Sequence, residues 1–252
     1  MIRSNPVSRF ALCAWLLPAT CLFAADNSTP APRRLELGVR IGLAPMSLFD
    51  TSAATASTTA PVASYAYTAS SNSSTLDAAP TVAYRFSDRF SLGFEPRFHR
   101  AQYVQTTKLL SGREDPNAIY DDRIPSTITD TTRADYFEAP IVARYLGLGS
   151  AKLLSKAYVA GGLDIRYVGR VRTANNFAWA DGSTDSNQTT DPVNSSNQIG
   201  WVAGVGLRFV DQQTDIKVTP EIRFVRWMGT TLQGPAYRSA ANQLEIGIGI
   251  SY

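Results

Sequence analysis

Large apolar side chains occupy every second position at the C-terminal end of the chain. Small or polar residues separate five of them, which are Leu244, Ile246, Ile248, Ile250 and Tyr252. Successive side chains of a β-strand point to opposite faces of the sheet, whereas an α-helix would scatter these residues around its axis. The pattern therefore predicts a strand with one apolar face.

Seven earlier segments show the same alternation. Most of the eight span nine residues, and nine to eleven tilted residues are enough for a strand to cross the hydrocarbon layer of a membrane. The seven apolar sets are Leu35, Leu37, Val39, Ile41 and Leu43; Pro80, Val82, Tyr84 and Phe86; Phe90, Leu92, Phe94, Pro96 and Phe98; Phe137, Ala139, Ile141, Ala143 and Tyr145; Val159, Gly161, Leu163, Ile165 and Tyr167; Trp201, Ala203, Val205, Leu207 and Phe209; Ile216, Val218, Pro220, Ile222 and Phe224.

The connections between these segments alternate in length, as in outer-membrane barrels, where short periplasmic turns alternate with longer extracellular loops. The short connections are 87–89, 146–156 and 211–215, and the long ones, rich in Ser, Thr, Asn, Asp and Ala, are 44–79, 99–136, 168–200 and 225–243. We therefore predict an all-β fold, an eight-stranded antiparallel transmembrane up-and-down β-barrel over residues 35–252. Both of its ends would lie in the periplasm of a bacterium.

Aromatic residues of the apolar face fall at the two ends of the predicted strands. Outward aromatic rings of membrane barrels gather at the two membrane interfaces, although aromatics also favour strands in general. The predicted periplasmic ring contains Phe86, Phe90, Tyr145, Phe209 and Tyr252, and the predicted outer ring contains Phe98, Phe137, Tyr167, Trp201 and Phe224.

The opposite face of the same strands carries charges of both signs in near balance. Charges held away from bulk water must be paired and hydrogen-bonded, so a membrane barrel with this face inward predicts an ion-pair network that plugs the lumen. The alternative is a secreted soluble barrel that keeps the charges in water and binds an apolar ligand inside. The predicted network consists of Glu36, Arg40, Arg85, Glu95, Arg97, Glu138, Arg144, Asp164, Arg166, Arg208, Glu221, Arg223 and Glu245; Lys217 and His99 lie on the same face.

The N-terminus has the layout of a secretory signal peptide, with Arg3 and Arg9 before an apolar run. We predict a signal peptide over residues 1–25 and a flexible lead-in over 26–34. Both cysteines, Cys13 and Cys21, would leave with the peptide, which excludes disulfides and cysteine metal sites. A lipoprotein site at Cys21 is the alternative, although the threonine before it fits that signal poorly. The mature chain would carry 22 basic and 21 acidic residues, too little net charge for nucleic-acid binding.

The predicted strands offer little chemistry for catalysis. His99 is the only histidine, no serine lies two positions after it, and Glu95 is the nearest acid on its face. We predict no enzymatic activity, no cofactor and no metal site. The loop acids lack the spacing and the glycine of a calcium loop; they are Glu114, Asp115, Asp121, Asp122, Asp181, Asp185 and Asp191.

Three prolines fall inside predicted strands, at Pro96, Pro140 and Pro220. Each removes a donor from the ladder of hydrogen bonds, so we expect bulges or breaks there. A bulge would also reverse the inward and outward assignment of the residues that follow it.

The segment Tyr136–Tyr145, YFEAPIVARY, resembles the central strand motif of the PorT-type outer-membrane β-barrel domain family. Similar pieces are YVAGG, GWVAGVGLRF, TPEIRFVRW and the C-terminal strand, so the resemblance covers about 35–252. It implies the barrel fold and the outer membrane; most members of that family have no assigned activity. The terminal strand, through the five residues named first above, also resembles the recognition signal by which the barrel-assembly machinery binds its substrates.

These patterns predict a non-enzymatic outer-membrane protein with a surface-contact or envelope-structural role. Binding functions concentrate on loops held by a rigid scaffold, and the long loops carry aromatic residues. A narrow or gated transport pore is the other membrane alternative. We expect a monomer with three partners, which are outer-membrane lipid, the assembly machinery and an extracellular partner at the loops. The loop aromatics, which could instead pack the loops together, are Tyr65, Tyr67, Tyr120, Phe177 and Trp179.

Overall fold

The computed structural model describes residues 34–59, 62–71, 75–112, 126–179, 182–190, 193–211 and 213–252. The predicted signal peptide, nearly all of the lead-in, Tyr120 and the loop acids Glu114, Asp115, Asp121, Asp122, Asp181 and Asp191 lie outside these residues. None of the described segments is a helix with the length and apolar character needed to span a membrane. The strands are β1 (Leu35–Ala44), β2 (Phe49–Thr51), β3 (Ala53–Thr59), β4 (Val62–Ser71), β5 (Thr75–Arg85), β6 (Phe90–Phe94), β7 (Arg97–Gly112), β8 (Thr127–Leu146), β9 (Ala157–Ala178), β10 (Thr184–Thr189), β11 (Asn197–Leu207), β12 (Phe209–Val210), β13 (Lys217–Met228), β14 (Tyr237–Ser239) and β15 (Asn242–Ser251).

Eight of these strands pair in a closed ring. Its order is β1, β5, β6, β8, β9, β11, β13, β15 and back to β1, and every pair is antiparallel. The strands β7 and β12 continue β6 and β11 after short interruptions. The eight ring strands follow one another around the barrel in the order in which they occur along the chain, and the strands numbered between them lie in the connections or continue a ring strand. The structure therefore has the predicted eight-stranded up-and-down topology.

The two faces of the ring differ in the way that the alternation predicts. Ile248 of β15 is 51% exposed, and the other apolar residues of the alternating sets are mostly exposed as well. On the opposite face, Arg97 is only 6% exposed and Glu221 only 5%. A continuous apolar belt of this size on the outside of a barrel requires lipid rather than water around it. The predicted sidedness is confirmed.

The expectation for the three prolines is right at one position and wrong at two. Only Pro96 interrupts its own strand, between β6 and β7, whereas β8 runs through Pro140 and β13 through Pro220. Inward and outward assignments beyond all three prolines remain as predicted, because Arg97, Val142 and Glu221 are buried.

The missing proline donors face gaps in the neighbouring strands. The carbonyl of Pro140 accepts the N–H of Glu95 at 3.2 Å, and the N–H and C=O groups of one strand residue point to the same side. The absent donor of Pro140 thus faces the gap at Pro96. The ladder between β13 and its neighbour stops at Gly206 and resumes at Phe209, which leaves the same kind of gap opposite Pro220. The break in the strand at Pro96 therefore also lies opposite the missing donor of Pro140, so a single break serves both prolines.

Three strands continue far beyond the predicted membrane span. The strands β7, β8 and β9 have 16, 20 and 22 residues. Their distal parts pair with one another and with β4, β3 and β10, giving a six-stranded extracellular sheet in the order β3, β4, β7, β8, β9, β10. Much of what the alternation assigns to the long loops 44–79, 99–136 and 168–200 is therefore strand, and the strand predicted to end at Phe98 continues to Gly112.

Candidate functional site

The upper part of the lumen is centred on Arg97. Its guanidinium reaches Glu138 at 2.6 Å, Glu245 at 2.5 Å, Asp164 at 3.1 Å and Asp77 at 3.2 Å. These carboxylates come from four different strands, so a single side chain connects five strands of the ring across its interior. Buried charges are stable only when they are paired in this way.

Arg166 forms the second centre of this upper tier. It bonds Glu138 and the side-chain oxygen of Gln243, at 2.6 and 2.8 Å. Its guanidinium also lies 3.7 Å from the ring centroid of Trp227 and 5.2 Å from that of Tyr136. Cation–π contacts of this kind become stronger when water is excluded.

A middle tier surrounds Glu95 and Glu221. Glu95 pairs with Arg223 at 2.6 Å and also bonds Arg144. Glu221 pairs with Arg223 and accepts a hydrogen bond from the hydroxyl group of Tyr158 at 2.7 Å. Arg40 links this tier to the upper one, since it lies 3.9 Å from Glu95 and 3.5 Å from Glu245.

A third tier lies at the periplasmic end around Glu36. Three cations converge on this carboxylate, Arg208 at 2.5 Å, Arg85 at 2.9 Å and Lys217 at 3.4 Å. A polar cavity of about 50 Å³ lies between this tier and the middle one. That volume is enough for a few water molecules.

Every residue of the predicted network takes part in an ion pair on the inward face. Five further residues contact the network, namely Asp77, Lys217, His99, Tyr158 and Gln243. Asp77 lies in a segment that the sequence assigns to a loop, although extending the alternation of its strand backward from Pro80 would have placed it inward. Lys217 lies on the inner face, as the alternation predicts, and its ammonium pairs with Glu36. Tyr158 and Gln243 were missed because a neutral polar residue gives no charge signal.

His99 lies at the top of the network. It is buried, its Nε2 lies 3.5 Å from Glu138, and its ring stacks on Tyr136 with centroids 5.5 Å apart. His99 thus has two neighbours in the interior. One is the carboxylate of Glu138, which already pairs with two arginines, and the other is the ring of Tyr136. Among the described residues, no cluster of three His, Cys, Asp or Glu side chains is arranged to hold a metal ion.

A hydrophobic lid covers the lumen on its extracellular side. Phe49 of β2 packs on Tyr103 of β7 and Tyr237 of β14, with ring centroids 4.9 and 6.5 Å apart. Leu48 and Leu232 complete the cover over the inner faces of β7, β8 and β9. The β2 and β14 strands pair with each other, which ties the first long connection to the last. Within the described residues, apolar side chains of these connections thus lie above the uppermost ion pairs.

The outer face of the extracellular sheet carries four exposed arginines around a depression of about 250 Å³. Arg100 donates to Asp135 at 2.7 Å, and this hydrogen bond raises the pKa of Arg100 above its ordinary value. The others are Arg133, Arg170 and Arg172. We call these four residues the outer arginine cluster.

The family profile described as "Outer membrane protein beta-barrel domain" matches residues 23–226. The chain belongs to this outer-membrane β-barrel family. Its location is accordingly the bacterial outer membrane, as predicted. The finer assignment to PorT-type barrels goes beyond this match.

Two outer-membrane proteins of known structure align with most of this chain, at low sequence identity. The attachment invasion locus protein Ail of Yersinia pestis, solved with the heparin analogue sucrose octasulfate, shares 9% identity over 87% of this chain and 100% of that chain, with a TM-score of 0.33. Neisserial surface protein A shares 12% identity over 87% and 96%, with a TM-score of 0.32. Such similarity carries no functional argument. No curated protein matches the chain.

Aromatic residues of this outer-membrane barrel gather at both ends of the membrane-spanning strands, as the sequence predicts. At the outer interface, Phe98, Phe137 and Tyr167 form a cross-strand row with centroids 5.0 and 6.5 Å apart. Near the periplasmic end, Phe86 contacts Phe90 at 5.7 Å. These rows set the depth of the barrel in the membrane, because amphipathic rings prefer the interface.

The terminal strand of the outer-membrane barrel closes the ring. The backbone N–H of Tyr252 donates to the carbonyl of Leu37 at 2.8 Å, and the N–H of Leu37 donates back at 3.1 Å. The apolar residues proposed as an assembly signal face outward on this strand, except that Leu244 is half-buried.

Three of the four described loop aromatics lie on strands. Tyr65 and Tyr67 belong to β4, with ring centroids 6.4 Å apart, and Phe177 lies near the end of β9. Trp179 directly follows that strand. All four are half-buried, so each retains part of its surface for contact.

Proposed function

We propose that this protein is a non-enzymatic outer-membrane barrel that makes contacts at the cell surface or supports the envelope, with a lumen plugged by ion pairs. One observation carries the proposal. The strands β7, β8 and β9 continue beyond the outer aromatic row and build a six-stranded sheet outside the membrane. A rigid sheet is a better contact platform than flexible loops, because less conformational entropy is lost on binding.

The filled lumen supports a structural role for the barrel. Eight strands enclose a space that side chains nearly fill, and here three tiers of paired charges occupy it. The lid around Phe49 adds an apolar barrier above them. An ion would have to separate several buried pairs to pass.

Transport through a narrow pore is the competing function, and conductance separates the two. We expect no discrete conductance steps from purified protein in planar bilayers, with or without Phe49→Ala. A known porin reconstituted in the same way serves as the positive control. Reproducible steps from the wild type would contradict the plug.

The resemblance to PorT-type barrels has a structural meaning in this proposal. Its motif, Tyr136–Tyr145, lies on β8 and contributes the buried Tyr136 and Glu138 and the partly buried Arg144, which pairs with Glu95, to the interior. We propose that this motif supplies the centre of the ion-pair network. Assembly through the terminal strand, a monomeric state and an extracellular partner belong to the same proposal.

The surface role is tested by shortening the extracellular sheet. Gln105 of β7 is paired with Asp130 of β8, so joining them through an Asn-Gly turn trims both strands in register. We expect the trimmed barrel to fold, shown by the usual shift between unboiled and boiled gel samples. It should fail to restore surface adhesion or detergent resistance to a deletion strain of the host bacterium.

The matched control removes residues 149–154 from the exposed periplasmic connection. This variant should fold and restore the phenotype. Full complementation by the trimmed barrel would show that the extracellular sheet is dispensable.

A further inference from the structure

The outer arginine cluster is built on the outward face, the same face of the sheet that contacts lipid lower down. Arg133 and Arg172 lie directly opposite each other on β8 and β9. Like charges in this position destabilise a sheet. Arg170 and Arg172 form no ion pair within the described part of the chain, and Asp135 is the one carboxylate among the residues lining the depression. The cluster therefore has an excess of positive charge that the protein itself does not neutralise.

A β-bulge places the fourth arginine in this cluster. Ala134 pairs with Val171 and Tyr136 with Val168, so one residue of β8 faces two of β9, Gly169 and Arg170. Bulges re-aim side chains, and here Val168 and Val171 both remain buried while Arg170 is exposed. The extra residue adds a cation to the outward face without disturbing the lid below the sheet.

The depth of the cluster is set by the outer aromatic row. Arg100 lies two residues beyond Phe98, which is about 7 Å along the strand and roughly 5 Å along the membrane normal at a tilt near 45°. Arg133 lies four residues beyond Phe137, roughly 9 Å along the normal on the same basis. The polar headgroup layer is about 5–7 Å thick on each side of the hydrocarbon core, so Arg100 lies within it and Arg133 just above it.

We propose that the outer arginine cluster binds the phosphate groups of the glycolipid in the outer leaflet. Arginine is suited to phosphate because its planar fork forms two parallel hydrogen bonds. The cluster continues the lipid-facing surface and lies at its rim, so a lipid already packed against Phe137 and Tyr167 brings its headgroup to these side chains. Thr131 and Gln188 supply neutral hydrogen-bonding groups at the edge of the depression.

This site does not require the contact role proposed above, since it depends on the outward position of the cluster in the membrane. The test uses the full mature chain, refolded in a neutral detergent, with diphosphoryl lipid A as the probe. Binding is measured by native mass spectrometry and by fluorescence titration. We expect Arg133→Gln together with Arg172→Gln to weaken binding at least tenfold.

A charge-matched control replaces two arginines elsewhere. Arg226 is exposed two residues beyond Phe224 on β13, the same offset as that of Arg100 from Phe98, and Arg238 is an exposed residue of β14 paired with Asp50. Arg226→Gln together with Arg238→Gln should change the affinity less than twofold. Equal losses in both double variants would show general charge attraction and overturn the site.

A second arm uses only the wild type, so it does not depend on how any variant folds. Removing both phosphates from lipid A should weaken binding about as much as the two cluster substitutions do. Unchanged binding of the dephosphorylated lipid would overturn the proposal. Inorganic pyrophosphate should compete poorly; competition at concentrations similar to those of lipid A would assign the cluster to free anions instead of a lipid.

Discussion

Arg97 and Arg100 lie three residues apart on β7, and they belong to opposite surfaces of the sheet. Arg97 is buried and contacts four carboxylates. The side chain of Arg100 is 60% exposed and has one carboxylate partner. The strand β9 repeats the contrast, because Arg166 is buried against Glu138 while Arg172 is exposed.

The contrast shows that side-chain direction decides what an arginine does in this fold. The inward face carries nearly as many acidic as basic side chains, so each inward arginine is paired with a carboxylate of another strand or of its own. These ion pairs link the strands to one another. Outward arginines near the extracellular rim meet one another, so their charge is available to a ligand. The same residue type is structural on one face and a candidate binding group on the other.

The largest effect is expected from breaking the inward set. Arg97→Ala leaves three buried carboxylates and the partly buried Asp77 without their shared partner, and removing one side of a buried ion pair typically costs about 3–5 kcal/mol of folding stability. Urea unfolding in lipid or detergent, followed by the loss of the gel shift, measures the change. Arg100→Ala on the same strand is the control and should leave the midpoint unchanged; equal destabilisation would remove the distinction between the faces.

An arginine placed on the outward face below the aromatic row sharpens the comparison. Leu163 is exposed near the middle of the predicted span of β9, and Leu163→Arg should cost about 2–4 kcal/mol, because the charge enters hydrocarbon. The control Val104→Arg lies higher on the same face, outside the membrane. If both substitutions were tolerated equally in bilayers, the outward face could not be the lipid-facing one.

A smaller effect of opposite sign is expected within the outer arginine cluster. Arg172→Gln removes one of two like charges that face each other, so stability in neutral detergent should rise by up to about 1 kcal/mol. High salt should reduce the difference, because it screens exposed charges. Thermal unfolding at two salt concentrations measures it, with Arg226→Gln as a control that shows no gain. A loss of stability would mean that Arg172 has a partner inside the protein.

The smallest effect concerns an exposed acid in a periplasmic turn, where neither set of arginines reaches. Asp211 accepts a hydrogen bond from the hydroxyl group of Thr214 at 2.6 Å and another from the backbone N–H of Gln213 at 3.3 Å. These hydrogen bonds hold the pKa of Asp211 below its ordinary value. The turn should therefore be fully stabilised above the ordinary pKa and lose this contribution as the pH falls through the lowered one. An NMR titration of wild type and Thr214→Val measures it; an unchanged pKa in the variant would exclude the hydroxyl as the cause.

The extracellular sheet shows where sequence patterns fail. The segment after Phe98 mixes Tyr, Val, Gln, Thr and Lys, so neither of its faces gives the apolar alternation that marks a membrane strand. A ladder of backbone hydrogen bonds does not depend on side-chain hydrophobicity, and β7 pairs along its whole outer half with β4 and β8. Polar strands are thus read as loops until their partners are known.

The alternation of side chains alone predicts the eight strands of the ring, their two faces, the aromatic rows and most of the inward charges. These follow from a period of two, which is a local property of the extended chain. Which charges meet depends on closure of the ring, since Arg97 and Glu245 are 148 residues apart in the chain and still form a hydrogen bond. The same holds for the lid, which joins the first and last long connections, and for the arginine cluster, whose outward grouping depends on one bulge. Such features combine distant segments, and no local pattern contains that information.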